Sequence, residues 1–170
     1  MRRLLVVTLF CALATTPADA TELFGGLYVH DVKTPLDLSG IEPGIDAQVG
    51  IRGGRIAGTP LQPYAFGALN SAGETSYAAV GLSARFGNRL YVRPGLGLAI
   101  HNGSDGNYQR TDRVAFGSRI LFEPELGIGT QVNDRLSIEA SLVHMSHATL
   151  LNRRQNPGID NLGVRLNLKL

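Results

Sequence analysis

A histidine, a serine and an aspartate near the C-terminus have the types and the spacing of a catalytic triad. His144 and Ser146 lie in an alternating segment, 136–146, whose other even positions are leucine, isoleucine or alanine. Asp160 opens a second alternating segment, 160–170, whose other even positions are leucine or valine. Because a strand sends alternate side chains to opposite faces, the three polar groups are predicted to share one aliphatic face. A nucleophile, a base and an acid on such a face indicate chemistry on a lipid.

These three groups can act together only if the two segments pair as neighbouring antiparallel strands. The link 147–159 allows the chain to turn back, which would set Asp160 beside His144. A serine hydroxyl becomes a nucleophile when an imidazole takes its proton and a carboxylate fixes the tautomer of that imidazole. The oxyanion formed in such a reaction needs hydrogen-bond donors. The candidates for this role are Asn156 and the backbone amides near Gly158.

The first 20 residues have the features of a secretory signal peptide. Two arginines precede an apolar run, 4–14, and small residues stand at Ala18 and Ala20. Cleavage is expected after Ala20, which leaves one domain, 21–170. The single cysteine, Cys11, lies in the segment that would be removed.

Charge and composition argue against several classes of function. The chain has 16 basic and 14 acidic residues, which is too even a balance for the concentrated basic face of a nucleic-acid-binding protein. It has no cluster of cysteines and histidines of the kind that binds zinc, so no metal and no cofactor are expected. After the signal peptide, no segment approaches the ~18 consecutive apolar residues of a transmembrane helix.

Alternation of apolar and polar residues recurs in eight segments, which predicts an all-β protein. The segments are 23–30, 45–52, 60–68, 77–86, 90–101, 119–129, 136–146 and 160–170. One face is aliphatic or aromatic, and the other combines glycine with charged residues. This is the pattern of a membrane barrel with a polar interior. The predicted fold is an eight-stranded antiparallel transmembrane β-barrel of the outer membrane.

Two further features of the segments bear on this fold. Short and long links are predicted to alternate along the chain, as turns and loops do in such barrels. Pro94 and Pro124 fall in the middle of segments, and since proline removes a donor from the ladder, we interpret them as bulges or local bends.

Charged and polar residues of the second face are predicted to fill the barrel interior. Glu123 and Glu125 are expected to form a salt-bridged network there with Arg93 and Arg119. His147 has the opposite parity to His144 and Ser146, so it is expected to point inward and to have a structural role.

The residues around the predicted site resemble a known family. The motif HMSHA at 144–148, followed by NPGID at 156–160 and GVRL at 163–166, is similar to the lipid A 3-O-deacylase (PagL) family. The resemblance implies an eight-stranded outer-membrane barrel with its triad on the lipid-facing wall. It also implies that Ser146 is the nucleophile, His144 the general base, Asp160 the acid and Asn156 an oxyanion donor. The acid is commonly glutamate in that family, and asparagine is frequent at the position of His147.

The resemblance implies a function, which stands beside two alternatives. The expected activity is hydrolysis of the ester-linked 3-hydroxyacyl chain at position 3 of lipid A by a multi-pass protein of the bacterial outer membrane. The expected partner is lipid A or lipopolysaccharide of the outer leaflet, with no nucleic acid and with homodimerisation left open. One alternative is a non-enzymatic structural or adhesion barrel. The other is a lipid acyltransferase, which the charged interior disfavours.

Overall fold

The computed structural model describes residues 21–37, 40–106 and 112–170, and these residues form nine β-strands. The strands are β1 (Glu22–Val29), β2 (Ile45–Arg52), β3 (Leu61–Asn70), β4 (Tyr77–Ala84), β5 (Phe86–Gly87), β6 (Leu90–His101), β7 (Ile120–Gln131), β8 (Leu136–Met145) and β9 (Ile159–Lys169). The predicted signal peptide, 1–20, lies outside the described residues.

The strands close into a single antiparallel barrel. The hydrogen-bonded order is β4-β3-β2-β1-β9-β8-β7-β6-β5, and pairing of β4 with β6 closes the ring. Strands β4 and β5 occupy one position in the wall, because Ser83 pairs with Gly95 and Phe86 with Val92 in the same register. The wall therefore has eight positions, which confirms the predicted fold. No helix in the described part of the chain is long and apolar enough to cross a membrane.

Pro94 and Pro124 do not form bulges, so that part of the interpretation is wrong. Pairing of β6 with β7 runs in unbroken register from Leu90↔Thr130 to Ile100↔Ile120, through both prolines. An N–H in a sheet points toward only one of its two neighbouring strands. Pro94 therefore keeps its register with β7 on one side. On its other side, Pro94 lies opposite the break between β4 and β5.

The two ends of the barrel differ in their connections. We call the end that carries segments 30–44, 71–76, 102–119 and 146–158 the loop end, and the opposite end the turn end. The predicted alternation of short and long links fails at one point, because 71–76 is shorter than the turn-end connection 53–60. Segment 71–76 is compact because the Asn70 side-chain oxygen accepts hydrogen bonds from the amides of Ala72 and Glu74, at 2.8 and 3.2 Å.

Exposure alternates along the strands with a polarity opposite to that of a soluble protein. In β9, Leu162, Val164 and Leu166 are 50–51% exposed, whereas Arg165 between them is fully buried. Aliphatic side chains therefore cover the outer wall and charged ones fill the interior, which is the arrangement of a membrane barrel.

Three arginines and three glutamates form the centre of the interior; they are Arg52, Arg93, Arg165, Glu22, Glu125 and Glu139. The Arg165 guanidinium lies 2.7 Å from a Glu125 oxygen and 3.4 Å from a Glu139 oxygen. Arg93 lies 3.1 Å from Glu22 and 3.5 Å from Glu139. The predicted interior network thus exists, with each charge within reach of an opposite one.

The partners in this network differ from those predicted. Arg119 precedes β7 and forms an exposed pair with Asp105 at the loop end, so it does not enter the interior. Glu123 accepts a hydrogen bond from the Tyr64 hydroxyl instead of pairing with an arginine. Alternation fixes which face a side chain takes, but the choice of partner depends on the register between strands.

Removal of one arginine should destabilise the barrel strongly. In Arg165→Met, the Glu125 and Glu139 carboxylates lose a partner without gaining access to water. We expect the free energy of unfolding in urea, measured in detergent micelles, to fall by about 3–5 kcal/mol. Arg135→Met is the matched control, because Arg135 is exposed. Free energies of unfolding that differ by less than about 0.5 kcal/mol between the two variants would contradict a large contribution of the interior network to stability.

A buried histidine joins two carboxylates just inside the loop end. The two ring nitrogens of His30 lie 2.9 Å from Asp46 and 3.2 Å from Glu42. Burial alone would lower the pKa of His30, but its hydrogen bonds to the two carboxylates outweigh burial and raise that pKa from 6.5 to about 9. Glu42 also accepts hydrogen bonds from the amides of Thr75 and Val114, so this cluster connects three loop-end segments.

Stability of the loop end should depend on pH through His30. Because the folded pKa lies above the unfolded value, the stabilisation is complete below about pH 6.5 and is lost as the pH rises through about 9. The loss is up to about 3 kcal/mol. It should appear as a falling Tm between pH 6.5 and 9.5, and as faster amide exchange at Thr75 and Val114. The control is His30→Gln, and an unchanged pH profile in that variant would refute the assignment.

Candidate active site

Pairing of β8 with β9 brings the predicted site residues together. His144 lies directly opposite Asp160 in the antiparallel register, as their parity requires. Ser146 follows the last residue of β8 and forms an isolated bridge with Phe122 of β7. Its side chain is two positions from His144 and therefore on the same side of the wall. All three groups lie at the loop end of the barrel.

The three side chains form one continuous chain of hydrogen bonds. Nδ1 of His144 lies 2.6 Å from Oδ1 of Asp160, and Nε2 of His144 lies 2.9 Å from Oγ of Ser146. An ionised carboxylate only accepts hydrogen bonds, so Nδ1 of the neutral imidazole carries the proton. Nε2 is then an acceptor directed at the serine hydroxyl. This connectivity can activate a serine for attack on an ester.

Exposure within the site decreases from His144 through Ser146 to Asp160. The His144 side chain is 16% exposed, Ser146 is 7% exposed and Asp160 is fully buried. Leu162, two residues along β9 from Asp160, is half exposed on the aliphatic outer wall. A reactant can thus approach the serine and the imidazole from the apolar side, while the carboxylate remains covered.

The first loop-end segment covers Asp160, which the sequence analysis did not anticipate. The Thr34 hydroxyl donates a hydrogen bond to Oδ2 of Asp160, and the Val32 amide donates to the Asp160 carbonyl at 2.7 Å. The Asp31 amide donates to the Asn161 side chain at 3.0 Å. Thr34 and Asp160 are 126 positions apart in sequence, and no pattern of spacing connects them.

The two predicted oxyanion donors have different surroundings. Asn156 closes the last loop, because its side-chain oxygen accepts a hydrogen bond from the Thr149 amide at 3.3 Å. Gly158 lies against the site, since a Cβ atom there would be 3.1 Å from Cε1 of His144 and 2.7 Å from the Met145 carbonyl oxygen. The donation of hydrogen bonds to an oxyanion by either residue stays a prediction.

His147 is fully buried next to the serine, and its inward direction and structural role stay predictions. Neither of its ring nitrogens has a hydrogen-bond partner among the described residues. Within the same residues, no group of three or more histidine, cysteine, aspartate or glutamate side chains is arranged to hold a metal ion.

Comparison with protein families identifies the family to which the chain belongs. The family model described as Lipid A 3-O-deacylase (PagL) matches residues 48–169, which include all three site residues. This chain belongs to the lipid A 3-O-deacylase (PagL) family. A comparison with curated proteins finds no significant match.

Solved structures show the same fold at low sequence identity. The crystal structure of the outer membrane enzyme PagL is 16% identical, with a TM-score of 0.59, over 88% of this chain and 99% of that one. Neisserial surface protein A (NspA) is 13% identical, with a TM-score of 0.58, over 91% of this chain and all of the other. At such identities the similarity establishes the barrel fold.

A side chain at position 158 should lower the reactivity of Ser146 while the barrel remains folded. In Gly158→Ala the new methyl group meets the backbone at Met145 and the His144 ring, so the imidazole must shift. We expect labelling of Ser146 by a fluorophosphonate probe to slow on the order of tenfold or more. Gly67→Ala is the matched control, because a Cβ atom there meets nothing within 4 Å. Equal labelling rates in the two variants would argue against tight packing around His144.

Proposed function

We propose that this protein is a serine esterase of the bacterial outer membrane that removes the ester-linked 3-hydroxyacyl chain from position 3 of lipid A. The observation that carries the proposal is the Asp160–His144–Ser146 chain of hydrogen bonds on the aliphatic outer wall. Membership of the lipid A 3-O-deacylase (PagL) family supports the choice of substrate.

In the first half-reaction, the Ser146 hydroxyl attacks the ester carbonyl. Nε2 of His144, 2.9 Å from Oγ, takes the hydroxyl proton as the new C–O bond forms. The imidazolium that results is stabilised by the Asp160 carboxylate at 2.6 Å. When the tetrahedral intermediate collapses, the bond to the sugar oxygen breaks and His144 returns the proton to that oxygen. The products are an acyl-serine and a lipid A with a free hydroxyl.

The second half-reaction releases the acyl chain. Water attacks the acyl-serine, His144 takes a proton from that water, and the same proton returns to Ser146 as the ester bond breaks. The product is a 3-hydroxy fatty acid. We assign stabilisation of the oxyanion in both halves to the side-chain amide of Asn156 and to backbone donors near Gly158. The reaction uses no cofactor.

The position of the site on the wall suits a substrate that is part of the membrane. With the loop end outward, the site would lie at the level of the outer leaflet, where acyl chains already contact the barrel. The aliphatic side chains that continue down β9, such as Leu162 and Val164, give such a chain an apolar path. The substrate therefore reaches Ser146 without leaving the bilayer.

Mass spectrometry of lipid A tests this proposal. Outer membranes that contain the wild-type protein should lose one hydroxyacyl group per lipid A, and membranes with Ser146→Ala should not. Ser141→Ala provides a matched control, because Ser141 lies on the same strand with its side chain buried in the interior. Unchanged lipid A with the wild-type protein, in a correctly folded barrel, would refute the deacylase and favour a structural barrel.

A further inference from the structure

We propose that Thr34 is a positioning residue for the acid of the site, and that it holds Asp160 so that one carboxylate oxygen faces His144. The inference rests on the proposed function in that it assigns Asp160 a role in activating Ser146. It extends that function, because it adds to the site a residue of the loop-end segment 30–44, near the other end of the chain.

Both oxygens of the Asp160 carboxylate have a defined contact. Oδ1 lies 2.6 Å from Nδ1 of His144, and Oδ2 accepts the hydrogen bond of the Thr34 hydroxyl. The residue is fully buried, so water does not solvate it, and a buried carboxylate oxygen without a donor is costly. The two contacts lie on different oxygens, so together they fix the rotation of the carboxylate about its Cβ–Cγ bond.

The direction of the Thr34 hydrogen bond follows from the rest of its contacts. Oγ1 of Thr34 accepts a hydrogen bond from the Leu36 amide at 2.9 Å, and the Thr34 amide donates to the Asp37 carbonyl at 2.8 Å. The hydroxyl therefore uses a lone pair within its own loop, and its single proton is directed to Asp160. This small turn sets the orientation of the donor before any substrate binds.

The segment that carries Thr34 is itself fastened to the barrel. The Asp31 carboxylate accepts hydrogen bonds of 2.8–3.2 Å from the amides of Gly40, Ile41 and Glu42. The Val32 amide is bonded to the Asp160 carbonyl, so the segment contacts both the backbone and the side chain of that residue. Thr34 thus belongs to a preformed structure and not to a free loop.

This arrangement predicts an effect on turnover and not on substrate binding. Thr34 reaches the reacting serine only through Asp160 and His144. A looser carboxylate holds the imidazole in the right tautomer and orientation for less of the time, which lowers kcat. KM should stay close to the wild-type value, because the path for the acyl chain along β9 is unchanged.

The test compares Thr34→Val, which keeps the side-chain shape without the hydroxyl, with Thr34→Ser, which keeps the hydroxyl. Deacylation of lipid A in mixed micelles gives kcat and KM. The rate of Ser146 labelling by a fluorophosphonate reports activation of the serine independently of the lipid: the P–F bond breaks, a P–O bond forms, fluoride leaves and His144 takes the proton. We expect Thr34→Val to lower kcat and labelling on the order of tenfold, with KM unchanged, and Thr34→Ser to restore most of both.

Thr59→Val is the matched control, because Thr59 makes comparable hydrogen bonds within a loop at the turn end, where its hydroxyl donates to the Ile56 carbonyl at 2.7 Å. Folding of each variant is checked by the heat-dependent gel shift typical of barrels. Should Thr34→Val fail to fold, Thr34→Ala replaces it, with slow labelling expected for alanine and fast labelling for serine.

The outcomes separate this inference from the deacylase proposal. Wild-type rates in Thr34→Val, or equal losses in the valine and serine variants, would overturn the role of the hydroxyl and leave the deacylase intact. Intact lipid A with the wild-type protein, together with fast labelling of Ser146 that slows in Thr34→Val, would overturn the deacylase and support the role of Thr34. Intact lipid A with the wild-type protein, together with a wild-type serine that is not labelled at all, would overturn both.

Discussion

The fold depends on the compensation of charge inside a narrow barrel. Three arginines without solvent contact would be prohibitively costly unless carboxylates paired with them, and Glu22, Glu125 and Glu139 do so. Room for this network comes from interior positions without side chains. A Cβ atom on Gly163 would lie 2.5 Å from the ring of Tyr28, whose hydroxyl accepts a hydrogen bond from Arg165 at 2.9 Å. With the interior charges paired in this way, the outward positions are free to be aliphatic.

The same interior network fixes the register on which the site depends. Glu139 and Arg165 are direct cross-strand partners in the β8–β9 pair, and their side chains form an ion pair of 3.4 Å in the interior. His144 and Asp160 are the cross-strand partners five residues further along, on the outer side. A slip of one residue would exchange the two faces, so it would separate both pairs at once. The charge pairing inside the barrel therefore also stabilises the alignment of His144 with Asp160 outside.

Alternation in the sequence was enough to predict the barrel, its inverted polarity and the faces of His144, Ser146 and Asp160, because these features follow from a period of two along each strand. It did not predict the partners of the interior charges or the loop contact of Asp160. Arg119 has a suitable charge but lies just before β7, where its side chain leaves the wall and pairs with Asp105. Thr34 carries no periodic signal, and its contact with Asp160 depends on how a loop folds over a distant strand end. The predicted boundaries of β3, 60–68, are also displaced, since the strand runs from Leu61 to Asn70. The sequence of this segment has no clear alternation.

The site has to reconcile a charged group with a wall that faces lipid. An ionised aspartate on that face would be costly in the hydrocarbon region. The structure avoids this cost by placing Asp160 at the second residue of β9, within reach of a loop, and by covering it completely. Thr34 and Val32 supply the covering contacts, while the less polar His144 imidazole and Ser146 hydroxyl remain slightly exposed. Because a covering segment can come only from a loop, a serine site of this kind can form at the loop end of the wall and not at its middle. The position of the site at the loop end of the wall is therefore a consequence of the need to shield its carboxylate.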